Sequence, residues 1–193
     1  MGKKISGRTG ATLGFESSED FYNKLLWDAK RLQEEWNVGD ATNFLTTAWH
    51  LFQDWVKSDQ KNSMSRLKRN RRKLPVQMNL VLDITRDLVN GSKHFELDQK
   101  STDKRKISEV HDGLEASWFS YLFHEEIAGV TVEGGWYFSI RVLHNILLEY
   151  YVWVFDDSQL PTEFPEAILN AIKYCNIRQR VAGSVPSIWA EYE

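Results

Sequence analysis

The chain has one cysteine, Cys175, in 193 residues, so no internal disulfide can form, and both a disulfide framework and a Cys-rich zinc site are excluded. Prolines number four, at 75, 161, 165 and 186, each where an element should start or stop, and no proline-rich linker or internal repeat separates domains. No run approaches about 18 uncharged apolar residues, and residues 1–10 are polar and glycine-rich without an apolar core. A cytoplasmic protein with no membrane association is expected. Three signatures are missing as well: a phosphate-binding Gly-x-x-x-x-Gly-Lys loop, a dinucleotide fingerprint and a nucleophile elbow.

Apolar residues make up 42% of the chain, with eight Trp, ten Phe and seven Tyr, so a disordered or low-complexity scaffold is excluded. A chain this long buries roughly 70% of its unfolded surface and needs no metal to fold. The net charge of −3 hides an asymmetry, because 57–73 carries eight Lys/Arg against the single acid Asp59. A mildly acidic body with one basic segment points to a local polyanion contact.

Residues 1–16 read as a flexible leader and 17–193 as one helical domain. Ser17-Ser18-Glu19-Asp20 supplies capping residues, and Phe21, Leu25, Trp27, Ala29, Leu32 and Trp36 form a broad helical stripe over 18–36. Asn37-Val38-Gly39 ends it and Asp40 caps a second helix over 41–57, antiparallel to the first. The basic connection 57–74 leads to Pro75 and a third helix over 76–91, with Gly91 as its stop. Residues 107–138 form a mixed insertion in which 107–124 suits either strand or helix, and Glu133-Gly134-Gly135-Trp136 marks the turn of a β-hairpin over 127–138. A central apolar helix over 140–156 and a last helix over 166–175 complete a mainly α bundle, the hairpin preceding the penultimate long helix.

Polar residues within two helices are the most informative feature. Asn43, Thr47, His50 and Asp54 line one face of the second helix, and Asp83, Arg86, Asp87, Asn90, Lys93 and His94 recur at steps of three and four on the third. If the helices pack together and the stripes meet, two imidazoles, three carboxylates, an Arg and a Lys share a small volume, the setting in which pKa values shift. The bland alternative is a solvated polar face on each helix.

The two-helix start, the Ala48-Trp49-His50 to Asp54-Trp55 helix and Asn90-Gly91-Ser92-Lys93-His94-Phe95 resemble uncharacterised bacterial and phage proteins with an Asn-x-x-Lys-His core. That architecture is similar to the HEPN (higher eukaryotes and prokaryotes nucleotide-binding) superfamily, helical bundles that include metal-independent ribonucleases of toxin and phage-defence systems. The resemblance covers roughly 18–95 and the late helix. It implies Arg86 and the polar Asp87 as the family's Arg and its neighbour and His94 as its histidine, although the seven residues between Arg86 and His94 exceed the family's interval. In the shorter spacing from Asn90 to His94, Lys93 supplies the positive charge. The family's sites often face each other across a dimer, so a homodimer is implied.

The residue types suit that chemistry. Metal-free RNA cleavage needs a base for the 2′-hydroxyl proton and a cation for the charged phosphorane, roles for His94 and for Arg86 or Lys93. Arg66, Lys68, Arg69, Arg71, Arg72 and Lys73 are candidates to hold the RNA backbone, unless the run is simply a solvated loop. No metal and no cofactor are assigned. Two alternatives remain: a non-catalytic protein-interaction module of the same fold, and a metal-dependent phosphohydrolase using His50, Asp54, Asp87 and His94.

Overall fold

The computed structural model describes residues 14–59, 74–93, 105–111, 128–156 and 163–176. They form a mainly helical assembly with one small antiparallel sheet. Helix α1 (Ser18–Glu34) opens on a capping box: the Ser17 hydroxyl accepts from the Asp20 N–H, and the Asp20 carboxylate accepts from the Ser17 N–H. Helix α2 (Val38–His50) is capped by Asn37, three residues before Asp40, because the Asn37 side chain accepts from the Asp40 N–H at 2.8 Å and donates to its carboxylate at 2.7 Å. Asp40 therefore completes the cap from inside the helix, where Arg31 also reaches it at 2.9 Å.

The two helices run antiparallel, as expected: Arg31 meets Asp40, Asp28 meets Thr47, and Ser18 donates to Asp59 through both its N–H and hydroxyl at 2.7 Å. The Asp59 carboxylate thus sits at the positive end of α1, where a negative charge is favourable. Leu25, Ala29 and Leu32 form the buried face of α1. Trp27 does not join them. Two residues from Leu25 is about 200° around a helix, so Trp27 is 59% exposed, with the Arg31 guanidinium over its ring.

Helix α3 (Val76–Lys93) buries Met78, Val81, Leu82, Ile84 and Val89 and packs against α2. Gly91 does not stop it: its φ stays out of the left-handed region, and the helix runs on to Lys93. Strands β1 (Ile107–His111), β2 (Gly129–Val132) and β3 (Trp136–Ser139) follow in the order β1-β2-β3. The expected hairpin is β2–β3, with Val132 opposite Trp136, and Gly134 and Gly135 take φ of 90° and 85° in the turn, values that side chains rarely adopt. Strand β1 settles the ambiguous stretch only at its start. It buries Ile107 alone and exposes the next four residues, so its pattern gave little strand signal.

Ser139 caps α4 (Ile140–Phe155), the core of the bundle, in which Leu143, Leu147, Tyr150, Tyr151 and Val154 are fully buried. Helix α5 (Glu166–Tyr174) starts just after Pro165, which is its cap, and its end is tied to the sheet by a bond from the Tyr137 N–H to the Cys175 carbonyl at 2.9 Å. Cys175 is buried, consistent with packing rather than reactivity. Among the described residues, no helix is long and apolar enough to cross a membrane. The leader 1–13, most of the basic connection and the stretch over 112–127 lie outside the described residues.

Candidate functional site

The polar stripe of α2 divides between two settings. Thr47, 2% exposed, donates to the Asp28 carboxylate of α1 at 2.7 Å, and Lys24 reaches the same carboxylate at 2.5 Å and the Thr47 hydroxyl at 2.6 Å. Asp28 is 6% exposed, so a nearly buried carboxylate is matched by an ammonium and a hydroxyl in the seam between α1 and α2. Asn43 is exposed, and its carbonyl also lies within bonding distance of the Thr47 hydroxyl, at 2.9 Å. Thr47 therefore serves the α1–α2 seam.

One turn on, His50 and Asp54 are hydrogen-bonded at 2.9 Å, Nδ1 to carboxylate, across a π-helical stretch, Leu51–Trp55, before the last turn Val56–Ser58. The cause of that stretch is a side chain from another helix. The buried Tyr151 hydroxyl donates to the Ala48 carbonyl at 2.5 Å and accepts from the Phe52 N–H. Ala48 and Phe52 are the two groups that an α-helix would join directly, so the phenol replaces one rung of the ladder with two bonds and the helix widens around it. Burial and the neighbouring Tyr150 push the Tyr151 pKa well above its ordinary value, so it stays a phenol and a donor.

The stripe of α3 is built differently. Arg86 donates through Nη1 to Asp83 at 2.7 Å and through Nη2 and Nε to Asp87 at 2.9 and 3.1 Å. The second Asp87 oxygen accepts from the Lys106 N–H at 2.5 Å, which fixes the chain entering β1 against α3. Asp83 also lines a cleft of about 910 Å³. Its walls are the first turns of α3 with Asn79, the start of β1 with Arg105 and Lys106, and the β2–β3 turn with Glu133 and Trp136. Arg86 is bonded to Asp83, which lines that cleft. Because α3 continues to Lys93, positions 86, 90 and 93 recur on one side of the helix.

The sequence-predicted site is therefore brought together in part. Asp83, Arg86 and Asp87 form one cluster with the backbone of Lys106, and half-buried Asn90 follows on the same helix face. Thr47 belongs to the Lys24–Asp28 network, and His50 to its pair with Asp54. His94 and the basic residues Arg66, Lys68, Arg69, Arg71, Arg72 and Lys73 lie outside the described residues. Helices α2 and α3 do pack together, through apolar residues such as Phe44, Ala48, Val81 and Ile84 that share the core.

Sequence reasoning missed the cleft residues Asn79, Arg105, Lys106 and Trp136. Trp136 beside Gly134-Gly135 was an available signal, whereas Arg105 and Lys106 were two cations among many. It also missed His144 on α4, 3% exposed and packed on the Phe44 ring at 4.5 Å. Its Nδ1 pairs with Asn145 at 2.9 Å, and its Nε2 finds no partner among the described residues. Burial lowers its pKa, opposed by the Asn145 bond, so the ring is neutral at pH 7.

Among the described residues no group of three His, Cys, Asp or Glu side chains could hold a metal ion, so His50 and Asp54 do not gather Asp87 into a metal set. Three carboxylates of the two polar stripes and the α1–α2 seam pair with cations: Asp28 with Lys24, and Asp83 and Asp87 with Arg86. No family model, no curated protein and no solved structure matches this chain, so the functional reading rests on the sequence and the geometry above.

Proposed function

We propose that this chain is a HEPN-like helical protein that binds RNA and cleaves it without a metal ion, at the polar face of α3 and the residues that follow it. One observation carries the reading: α3 holds Arg86, Asn90 and position 93 at spacings that share one side of the helix, the side on which Asp83 lines an open cleft, and His94 is the next residue in the sequence. The resemblance noted for Asn90-Gly91-Ser92-Lys93-His94 supplies the reaction class. His94 takes the 2′-hydroxyl proton, the 2′-oxygen attacks the neighbouring phosphorus, and the P–O5′ bond then breaks to leave a 2′,3′-cyclic phosphate, the departing 5′-oxygen taking a proton from water or from the protonated His94. Lys93 supplies the charge for the phosphorane. Arg86 is given a positioning role, because two carboxylates outweigh its one positive charge, and the cluster holds β1 against α3. The basic segment ending at Lys73 enters α3 at the cleft end in sequence, where it would hold the phosphate backbone.

The test is incubation with labelled single-stranded and transfer RNA in EDTA, with His94→Ala alongside. Cleavage by the parent alone supports the reading, and toxicity on expression that His94→Ala removes would place it in a toxin or phage-defence setting. The implied homodimer is checked by light scattering after size-exclusion chromatography. A second reading, the non-catalytic interaction module, is favoured by the same carboxylate clamp on Arg86. It predicts no cleavage by a folded parent and capture of a specific protein partner.

A further inference from the structure

We infer that the cleft between α3 and the sheet binds one nucleotide, with its base on Trp136, its ribose hydroxyl on Glu133 and its phosphate on Arg105 and Lys106. The volume of about 910 Å³ lies within the range of small-molecule sites. What selects the ligand is the mixture of groups. A site for a plain polyanion has no use for Glu133, and a groove for an apolar helix has no use for two cations. A nucleotide uses all three kinds.

Trp136 offers the flat face. It is half-buried, and two residues along the same strand Phe138 backs it, the rings 6.0 Å apart and within 9° of parallel. Aromatic platforms of this kind take bases of any sequence by stacking. Asn79 is fixed by the bond from its Nδ2 to the Leu74 carbonyl at 3.2 Å, which leaves its Oδ1 as the acceptor for a base amino group. Glu133 brings a carboxylate, the usual partner of a ribose hydroxyl and a means of preferring RNA over DNA. Arg105 and Lys106 are exposed, and the main chain beneath them is held by the bond from the Lys106 N–H to Asp87. The main chain that carries the two cations is therefore held by the same carboxylate that clamps Arg86.

This inference deepens the RNA reading and rests on it only for the source of the nucleotide, either a unit of a single strand or a free nucleotide. Equilibrium binding distinguishes the two, using a labelled single-stranded RNA decamer and AMP, with His94→Ala in every protein so that the RNA stays intact, and with the parent site, Trp136→Leu and the double variant Arg105→Gln/Lys106→Gln compared. Trp136→Leu should weaken RNA binding by about 5- to 100-fold, the worth of one stacked base. The double variant should flatten the slope of log affinity against log salt by about 0.7, the value for the one phosphate that the two cations share.

If AMP binds and both variants weaken it while RNA does not bind, the cleft takes a free nucleotide; the inference stands and the RNA reading falls. If RNA binds all three proteins equally, the cleft is not the site and the inference is overturned, although the RNA reading survives. A folded parent that binds neither overturns it as well. Should Trp136→Leu fail to fold, the double variant, altered only at exposed side chains, decides alone.

Discussion

Two polar clusters in this molecule use nearly the same chemistry and end differently. Lys24, Asp28 and Thr47 join α1 to α2, with Asp28 and Thr47 buried in the seam and Lys24 at its edge, whereas Asp83, bonded to Arg86, lines a cleft open to solvent. Both are cation–carboxylate sets at helical spacing, so residue type does not separate them. The covering layer does. The buried Asp28–Thr47 pair ties two helices together, and the cleft beside Asp83 has room for a ligand.

Asp28→Ala tests the seam most severely. It leaves Lys24 and Thr47 without their shared acceptor in a buried seam and should cost about 2–4 kcal/mol in chemical denaturation. A loss below about 0.5 kcal/mol would mean that the seam is wetter than its burial implies.

Tyr151→Phe should cost about 1–2 kcal/mol by removing the hydroxyl that joins Ala48 to Phe52. Hydrogen exchange at the Phe52 amide shows whether the α-helical rung then closes. If it does, the π-helical stretch owes its existence to Tyr151.

Acid should act through His144. Its folded pKa lies below the unfolded value of about 6.5, so above that pH both states are neutral and its contribution is complete. As the pH falls below about 6.5, the unfolded state binds a proton that the folded state refuses, and stability drops by at most about 1.4 kcal/mol per pH unit from this one group. His144→Phe should remove that part of the acid dependence, and an unchanged pH profile would assign it elsewhere.

The smallest stability effect belongs to the open side. Asp83→Asn breaks one arm of a partly exposed pair and should cost about 0.2–1 kcal/mol by thermal or chemical unfolding. A cost equal to that of Asp28→Ala would erase the distinction between the two clusters.

How much of this was legible in the sequence depended on distance along the chain. The helices were, because Phe44, Leu45 and Ala48 on α2 and Met78, Val81 and Ile84 on α3 repeat with the helical period and are all buried. So was the hairpin, through Gly134-Gly135. Periodicity cannot say which neighbour a polar stripe meets, and Thr47 turned to α1. It could not show that Tyr151, 103 residues from Ala48, would enter the ladder of α2. Strand β1 stayed undecided between strand and helix because only Ile107 in it is buried, and with it the Arg105–Lys106 wall of the cleft went unread.

The most direct test of the central claim is RNA cleavage in EDTA by three folded proteins: the parent, Lys24→Gln from the seam cluster, and His94→Ala immediately after α3. The account predicts equal cleavage by the parent and Lys24→Gln, with Lys24→Gln less stable, and none by His94→Ala. Cleavage by His94→Ala at the parent rate, or none by any of the three, would contradict it.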